Sequence, residues 1–498
     1  MHSTVATTTT SRRSTHPLAV GALLVILPAI AQLWGVTAGF NGWPVYTDYY
    51  RRLTDAFLHG QISLRQGPPA KMLALKDPYD PYQNARYRIH DASLYNGKYY
   101  LYWGPAPALV ASVVCLAVGD REPTFGDQYL VLIFLFGTQL LAVVLIMEMR
   151  RRYFPDQSVW TAAPPALALG LGTPMLYTLA RSAIYEASIA SGQFFLMSAI
   201  LTAWFGVQNR RSLLLFLAGV CFAMSFGSRI SLLPAIFVIA LLTAWMLRGD
   251  GKKTAINILA LLAPLAAGVA LHAWYNFARF GSVTELGLHY QLAMENQHAR
   301  PASSFAAPHF ILPNIVDYLF EPPYRIKVFP YVIAFNQLPI EQVFHLMKQY
   351  RSEPVTGVLW SMPFLLFVIP AFALLRWFKS TPDRRAAAWL TLTLACGGIL
   401  GIAPALTIHG ATMRYLLDAV PCLTVLSAFG YWQARRMLGN HPLLLRQLTG
   451  IARLMTIWAV VMGLLMGVSG YYSNLNMFNG KLFQTLMTKL PVIRAWWW

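Results

Sequence analysis

The chain has 498 residues, of which 56% are hydrophobic and only 12% are charged, and its mean hydropathy is +0.47. This composition excludes an ordinary soluble domain and predicts an all-α protein that crosses a membrane many times. The formal net charge of +19 would suit a nucleic-acid-binding protein. However, the basic residues recur in short groups between apolar runs, so no nucleic acid is expected as a partner.

Apolar runs of about 20 residues, the length that crosses a hydrocarbon layer of about 30 Å, predict about eleven membrane spans. The predicted spans are 18–38, 128–149, 158–178, 183–206, 213–228, 230–247, 254–275, 357–378, 386–408, 415–434 and 452–472. No convincing cleavage signal follows the first run, so we expect an uncleaved first helix. Residues 18–472 then form the transmembrane domain, between a tail at 1–17 and a tail at 473–498.

The Lys/Arg distribution predicts the orientation. With the N-terminus in the cytoplasm, basic groups such as Arg12, Arg13 and Arg150 to Arg152 fall on the inner side, and the short outer turns keep only Arg181, Arg229 and Arg414. Two large segments, 39–127 and 276–356, then lie outside. The C-terminal tail is also outside, and Trp496 to Trp498 suit an anchor at the membrane interface.

The interpretation of the apolar run 104–119 decides that orientation, because counting it as a span would reverse the predicted side of the membrane for every later segment. It has only about 16 residues and opens with Pro105 and Pro107. We therefore interpret it as a helix that lies in the outer interface or dips back from it.

The segment VYTDYYRRLTDAFLHGQ, residues 45–61, follows the first span. As a helix it would place Asp48, Arg52, Asp55 and His59 on one face and would lie along the outer surface. Two roles are then open to Asp48. It is either a charge favoured by the dipole at a helix N-terminus, or a general base that deprotonates an acceptor at the boundary between water and lipid.

A first span followed by an Asp that opens an interfacial helix resembles the start of the GT-C glycosyltransferases. This superfamily includes protein O-mannosyltransferases and lipid A aminoarabinose transferases. The residues that carry the resemblance are Asp48, Tyr49, Tyr50, Ala56 and Gly60. The family usually has a second acid directly after the first, where this chain has Tyr49.

Three further segments resemble family-39 and RgtA/B/C/D-like members of the superfamily. They are NGKYYLYWGPAPAL (96–109), AWYNFARFGS (273–282) and TMRYLLDAVPCL (412–423). The first resembles the proline-containing segment of the first outer loop and lacks that segment's basic residue, although Lys98 lies nearby. Together with the first helix, these segments extend the resemblance over nearly the whole chain.

The resemblance implies a GT-C-type bundle in a bacterial inner membrane, with its active site facing outward. It implies transfer of a sugar from a polyprenyl-phosphate donor to a glycan, lipid or protein acceptor, with Asp48 as the base and inversion at the sugar C1. No cofactor is expected. Some relatives use a divalent metal, and metal dependence stays open here. The sugar, the acceptor and the oligomeric state also stay open.

Charged residues inside or beside apolar segments are costly and therefore suggest function. Arg229, in FGSRISLLP, and Arg414, in HGATMRYLLDAVP, resemble basic positions of the family. With Lys98, they are predicted to bind the donor phosphate, since Arg offers a planar fork of donors for its oxygens. Arginines that snorkel to the interface are the alternative. Glu186, Arg181 and Asp55 are predicted to support the site, Asp55 paired with Arg52 or His59.

Two other functions remain open. A polysaccharide polymerase or ligase that uses a lipid-linked oligosaccharide would share the phosphate chemistry, and a multi-pass transporter is less favoured because the charges collect at the outer ends of the spans. The sequence has no nucleotide-binding glycine loop, no HExxH motif and no CxxC pair among its four cysteines. Phosphoryl transfer from a nucleotide and zinc hydrolysis therefore have no support.

Overall fold

The computed structural model describes residues 16–249, 251–301, 304–346, 350–471 and 474–493. Within these residues the predicted all-α class is confirmed, because helices dominate and the sheets are two antiparallel pairs of short strands. The predicted anchor at Trp496 to Trp498 and the tail arginines Arg12 and Arg13 lie outside the described residues.

The N-terminal part of the chain consists of the first long helix and the first outer segment, which contains four helices and a β-hairpin. They comprise α1 (Pro17–Val36), α2 (Tyr49–Leu58), α3 (Ala70–Leu73), α4 (Pro81–Asn84), β1 (Ser93–Tyr95), β2 (Lys98–Tyr100) and α5 (Ala106–Val118). The next helices form the central part of the bundle. They are α6 (Asp127–Tyr153), α7 (Ala163–Leu171), α8 (Thr173–Leu179), α9 (Ile184–Asn209), α10 (Ser212–Ser228), α11 (Leu233–Met246) and α12 (Lys252–Phe280).

The second outer segment and the C-terminal part complete the fold. They comprise α13 (Ile311–Phe320), β3 (Tyr324–Arg325), β4 (Val332–Ile333), α14 (Ile340–Val343), α15 (Val358–Ser361), α16 (Val368–Ala371), α17 (Pro382–Leu406), α18 (Val420–Met437), α19 (Pro442–Ser469), α20 (Asn474–Phe478) and α21 (Gly480–Lys489). Short 3-10 helices precede or interrupt several of them, at Val159–Ala162, Ile230–Leu232, Leu288–Tyr290, Pro308–Phe310, Pro363–Phe367, Phe372–Lys379 and Met413–Asp418.

Six of the described helices, α1, α6, α9, α12, α17 and α19, are long and apolar enough to cross a membrane by themselves. The other five predicted spans appear as shorter or interrupted helices. The break between α7 and α8 lies at Gly172, where α19 packs so closely that a Cβ on Gly463 would lie 1.9 Å from the carbonyl oxygen of Leu171. In 357–378, Pro363 and Pro370 interrupt the α-helical hydrogen bonding.

The core of the bundle lies between α9, α17 and α18, where the side chains of Trp204, Trp389 and Trp432 are fully buried. Exposed apolar side chains cover the outer faces of other helices, for example Ile26 on α1 and Leu259 on α12. A polytopic membrane protein shows this distribution, because its outer surface faces lipid rather than water.

The loops gather at two opposite ends of the bundle, which α6 connects. At the end where α6 finishes, Arg152 pairs with Asp383 and Arg436 pairs with Asp156. These residues belong to segments predicted to be cytoplasmic. The other end, where α6 begins at Asp127, carries both large outer segments.

Tyr50 shows that the run 104–119 does not cross the bundle. Its amide N donates to Oδ1 of Asp127 at 3.0 Å, and its hydroxyl donates to the carbonyl oxygen of Gly104 at 3.2 Å. The chain therefore leaves this end at Gly104, forms α5 and returns to the same end at Asp127. Val113 and Val118 of α5 remain exposed. This path fits a helix that dips into the interface.

Candidate active site

A cavity of about 520 Å³ lies at the end of the bundle that carries the outer segments. Its walls come from both outer segments, from the adjoining ends of α9 and α10, and from residues 408–415, which precede α18. The polar lining residues that bear on chemistry are Asp91, Tyr185, Arg229, Glu353, Arg414 and Tyr415. Residues distant in the sequence thus meet in one space.

Asp91 is a carboxylate held in a fixed orientation in this cavity. Its Oδ1 accepts a hydrogen bond from Nε2 of Gln291 at 2.8 Å, and its Oδ2 accepts one from the hydroxyl of Tyr185 at 3.1 Å. Its φ of 62° lies in the left-handed region, which costs free energy for residues other than Gly and is least unusual for Asp and Asn. Such a conformation is found preferentially at functional sites.

The backbone around Asp91 joins the two outer segments. The amide of Asp91 donates to the carbonyl oxygen of Leu292, and the amide of Leu292 donates to the carbonyl oxygen of Ala92. On the other side, the hydroxyl of Tyr49 in α2 donates to the carbonyl oxygen of His90. The position of Asp91 therefore depends on α2 and on both outer segments.

Arg229 lies where α10 ends, and its guanidinium group pairs with a fully buried carboxylate. Its Nη2 lies 2.8 Å from Oδ2 of Asp418 and its Nε lies 3.2 Å from the same atom. Nη1 of Arg229 takes no part in this contact, because Nη2 and Nε make it. The arginine therefore keeps donor capacity at the cavity wall.

Arg414 enters the same cavity and binds a different carboxylate with both arms of its fork. Its Nη1 lies 2.5 Å from Oε2 of Glu353 and its Nη2 lies 3.1 Å from Oε1. Behind it, Nε lies 4.0 Å from Oε1 of the buried Glu186. Thr412 also donates to Oε2 of Glu353 at 2.9 Å.

The charge state of Glu353 follows from these contacts. Burial alone would raise the pKa of Glu353, but the nearby Arg414 charge and the hydrogen bonds from Arg414 and Thr412 outweigh burial and hold the pKa below its usual range. Glu353 is therefore ionised at neutral pH. It binds the guanidinium group of Arg414 as an anionic ligand would.

The ring of Tyr415 brings the two predicted arginines together. The Cζ of Arg229 lies 4.9 Å from its centroid and the Cζ of Arg414 lies 5.4 Å from it. The ring of Tyr185 lies 4.9 Å from Cζ of Arg414 as well. Two cations thus converge on one aromatic wall, which fixes them without adding negative charge.

Asp48, the predicted base, lies at the N-terminus of α2 but is not among the residues that line the cavity. Its carboxylate pairs with Arg51 and Arg52. Burial would raise the pKa of Asp48, but the hydrogen bonds and charges of these two arginines lower it overall. Its side chain makes no capping bond to α2.

A different acid, Asp127, caps α2. Its Oδ2 accepts from the amide N of Tyr49 at 3.1 Å and its Oδ1 accepts from that of Tyr50 at 3.0 Å. The dipole contact predicted as one role of Asp48 is therefore made by a residue 78 positions away from Tyr49 in the chain. This carboxylate anchors the second long helix to the interfacial helix.

The remaining predicted residues lie outside the cavity lining. Lys98 is exposed beside the turn between β1 and β2. Asp55 pairs with His59 at 3.2 Å, as expected, and with Arg65 at 2.8 Å, while Arg52 pairs with Asp48 instead. Arg181 stacks over the ring of Tyr471, with its Cζ 4.6 Å from the centroid.

Sequence reasoning did not select Asp91 or Glu353. Both lie in long outer segments without periodicity, so no local pattern marks them. For Asp91 the one available signal is its place two residues before the hairpin strand β1, in a turn where Asp tolerates a left-handed backbone. Within the part of the chain that the structure describes, no group of three or more His, Cys, Asp or Glu residues could hold a metal ion.

No protein-family model and no curated protein matches the chain. Among solved structures, the Archaeoglobus fulgidus oligosaccharyltransferase tethered with an acceptor peptide is similar, with 13% identity, a TM-score of 0.43 and coverage of 95% of this chain and 60% of that chain. Its apo form has 12% identity and a TM-score of 0.45, covering 91% and 57%.

The same archaeal enzyme in complex with an inhibitory peptide and a dolichol-phosphate has 12% identity and a TM-score of 0.44, covering 95% of this chain and 60% of that chain. This chain thus spans about 60% of the length of the structures that it matches.

Proposed function

We propose that this protein is a membrane glycosyltransferase of the GT-C type, which moves a sugar from a polyprenyl-phosphate donor to an envelope acceptor on the outer face of the membrane. One observation carries the proposal: the carboxylate of Asp91 and the guanidinium groups of Arg229 and Arg414 face one cavity at the end of the bundle that carries the outer segments. A base and a cationic site for a leaving phosphate are the two groups that this transfer requires.

The surroundings of the cavity suit a donor with an apolar tail. Ile230 lines the cavity, and the exposed side chains of Phe237 and Leu241 follow along α11. Gly104 also lines the cavity, directly before α5 with its exposed Val113. A phosphate in the cavity could therefore keep its attached lipid against surfaces that already face the membrane.

In the proposed reaction, Asp91 accepts the proton of the acceptor hydroxyl or amine as the acceptor attacks the sugar C1. A bond from C1 to the acceptor forms, the bond from C1 to the phosphate oxygen breaks, and the electron pair leaves with the lipid phosphate. Nη1 of Arg229, which the contact with Asp418 leaves unused, donates to that phosphate, and Arg414 binds it in place of Glu353. A single displacement inverts the configuration at C1. Tyr185 and Gln291 position Asp91 for the proton transfer.

The structure favours Asp91 over Asp48 as the base. A general base must come within hydrogen-bonding reach of the proton that it accepts, and Asp91 lines the cavity that contains the two arginines. Asp48 is engaged by Arg51 and Arg52. We assign it a positioning role in α2, whose Tyr49 contacts the backbone next to Asp91.

Purified protein should transfer label from a polyprenyl-phosphate sugar to extracted envelope acceptors and release one polyprenyl phosphate for each sugar transferred. A nucleotide sugar should give no transfer. The alternative function, a polymerase or ligase, would require a lipid-linked oligosaccharide and would leave the monosaccharide donor untouched. Failure with every polyprenyl-phosphate sugar tested would overturn the proposal.

A further inference from the structure

A second basic groove lies at the opposite end of the bundle from the cavity. It encloses about 470 Å³ between the end of α18 and the first turns of α19. Three arginines line it, Arg435, Arg446 and Arg453, together with Pro442, Leu445, Thr449 and Gly450. No residue is shared with the active-site cavity, so the groove is a separate site.

The three arginines give the groove a positive charge. Among the described residues, none of them takes part in an ion pair, and no acidic side chain lines the groove. By contrast, Arg436, the residue next to Arg435, pairs with Asp156. A cluster of cations without acids favours an anionic ligand.

Arg435 is held in place by neutral partners. Its Nε donates to Oε1 of Gln157 at 2.7 Å, and its Nη1 donates to Oγ1 of Thr449 at 2.5 Å. The guanidinium is therefore oriented before any ligand arrives, and its charge remains available. Gly450 leaves the groove open, because a Cβ at this position would meet nothing within 4 Å.

The position of the groove along α19 matches the headgroup layer of a bilayer. The predicted apolar span begins at residue 452, so Arg446 lies six residues, or about 9 Å, outside it and Arg453 lies at its edge. The polar layer on each side of the hydrocarbon is about 5–8 Å thick. The two arginines on α19 thus bracket this layer.

Exposed apolar side chains continue from the groove along α19. Ile451, Leu454 and Ile457 are 49%, 67% and 59% exposed. A soluble anion would make no use of this surface, whereas acyl chains attached to a headgroup in the groove would cover it. The occupant therefore combines a phosphate with an apolar tail.

We propose that the groove of Arg435, Arg446 and Arg453 binds the phosphate headgroup of an anionic phospholipid, in the leaflet opposite to the active-site cavity. The site does not depend on the proposed glycosyl transfer. Its ligand is expected to be an anionic lipid such as phosphatidylglycerol, because a zwitterionic headgroup adds a cation next to the three arginines.

The test is lipid binding to the delipidated full-length protein, measured by native mass spectrometry with phosphatidylglycerol or phosphatidylcholine added. Wild-type protein should retain phosphatidylglycerol at least about 10-fold better than the double variant Arg446→Gln/Arg453→Gln. The matched control is Arg248→Gln/Arg385→Gln, which removes two exposed arginines from the same end of the bundle, outside the groove. It should bind as the wild type does.

A second variant separates the groove from general charge. Gly450→Leu keeps all three arginines and fills the groove, and a leucine is better tolerated than glycine within a helix. It should lose the bound lipid, with a thermal unfolding midpoint no lower than that of the wild type. Equal retention of phosphatidylglycerol by Gly450→Leu or by the double variant, or equal retention of phosphatidylcholine by the wild type, would overturn the proposal.

Discussion

The hydroxyl of Tyr185, at the start of α9, donates to Oδ2 of Asp91 in the first outer segment across 3.1 Å. The ring of Tyr185 also makes an edge contact with Trp103, with centroids 5.0 Å apart. One side chain thus links a bundle helix to the proposed base. We infer that this bond sets the direction in which the Asp91 carboxylate points.

Tyr185→Phe should keep the ring contacts and remove only this bond. We expect the turnover number to fall about 3-fold to 10-fold, because one hydrogen bond contributes about 1 kcal/mol, while the donor KM stays nearly constant. Steady-state kinetics at varied donor concentration measure both values. The control is Tyr177→Phe, which removes a buried hydroxyl without a partner in the described structure. A rise in donor KM with constant turnover would contradict the positioning role.

Arg229→Lys and Arg414→Lys test the phosphate site while keeping a positive charge beside Asp418 and Glu353. Because an ammonium group lacks the planar fork of guanidinium, donor binding should weaken about 5-fold to 10-fold in each variant. Equilibrium binding of a labelled polyprenyl-phosphate sugar, without acceptor, measures this change. Arg435→Lys, in the groove at the opposite end, serves as the control. Unchanged donor affinity in both active-site variants would remove these arginines from the site.

Glu353→Gln should lower the free energy of unfolding by about 1–2 kcal/mol at neutral pH. A charged hydrogen bond contributes about 1.5–3 kcal/mol, and we reduce that range because the Glu353 side chain is 32% exposed. The pKa of Glu353 is lowered in the folded protein. The contribution is therefore complete above the pKa of the unfolded chain and is lost as the pH falls through the folded pKa.

Thermal unfolding of the wild type and of Glu353→Gln between pH 8 and pH 3 measures this dependence. The difference between their midpoints should stay constant down to about pH 5 and then shrink, since model glutamate titrates at about 4.3. Glu122→Gln, at a side chain that is 80% exposed, should show no difference at any pH. A difference that grows as the pH falls would contradict the sign of the pKa shift.

The membrane orientation predicts that a reporter fused after Gly126 lies outside and one fused after Asp156 lies inside. Tyr50 bonds to both Gly104 and Asp127, so the structure returns the chain to one end of the bundle between them. Paired fusions active only outside or only inside the cytoplasm measure the two locations. A cytoplasmic reporter after Gly126 would mean that 104–119 crosses the membrane.

The sequence was most informative where burial makes charge expensive. Arg229 and Arg414 stood out because they interrupt apolar runs, and both line the cavity. The presence of the long helices was equally predictable from the length of the apolar runs. The interruptions of the helices in 158–178 and 357–378 could not be predicted. They depend on close packing, as between Gly463 and Gly172, with neighbours that are distant in the chain.

The proposed base could not be read from local pattern. The sequence favours Asp48 because it follows a span and begins an amphipathic helix. Its carboxylate is instead paired with Arg51 and Arg52 on the next turn of the same helix. Asp91 is placed for its proposed role only because Tyr185 and Gln291, 94 and 200 residues away in the chain, bond to its carboxylate. Contacts over such separations leave no periodic signal in a single sequence.

The most direct test of the account compares initial transfer rates of Asp91→Asn and Asp48→Asn at equal protein and saturating donor. Asparagine keeps the size and the left-handed tolerance of Asp91 but cannot accept a proton, so Asp91→Asn should reduce the rate about 100-fold or more with an unchanged thermal unfolding midpoint. Asp48→Asn should retain the rate to within about 5-fold, since its ion pairs contribute at most about 1 kcal/mol. Near-wild-type transfer by Asp91→Asn together with loss of transfer in Asp48→Asn would contradict the account and assign the base to Asp48.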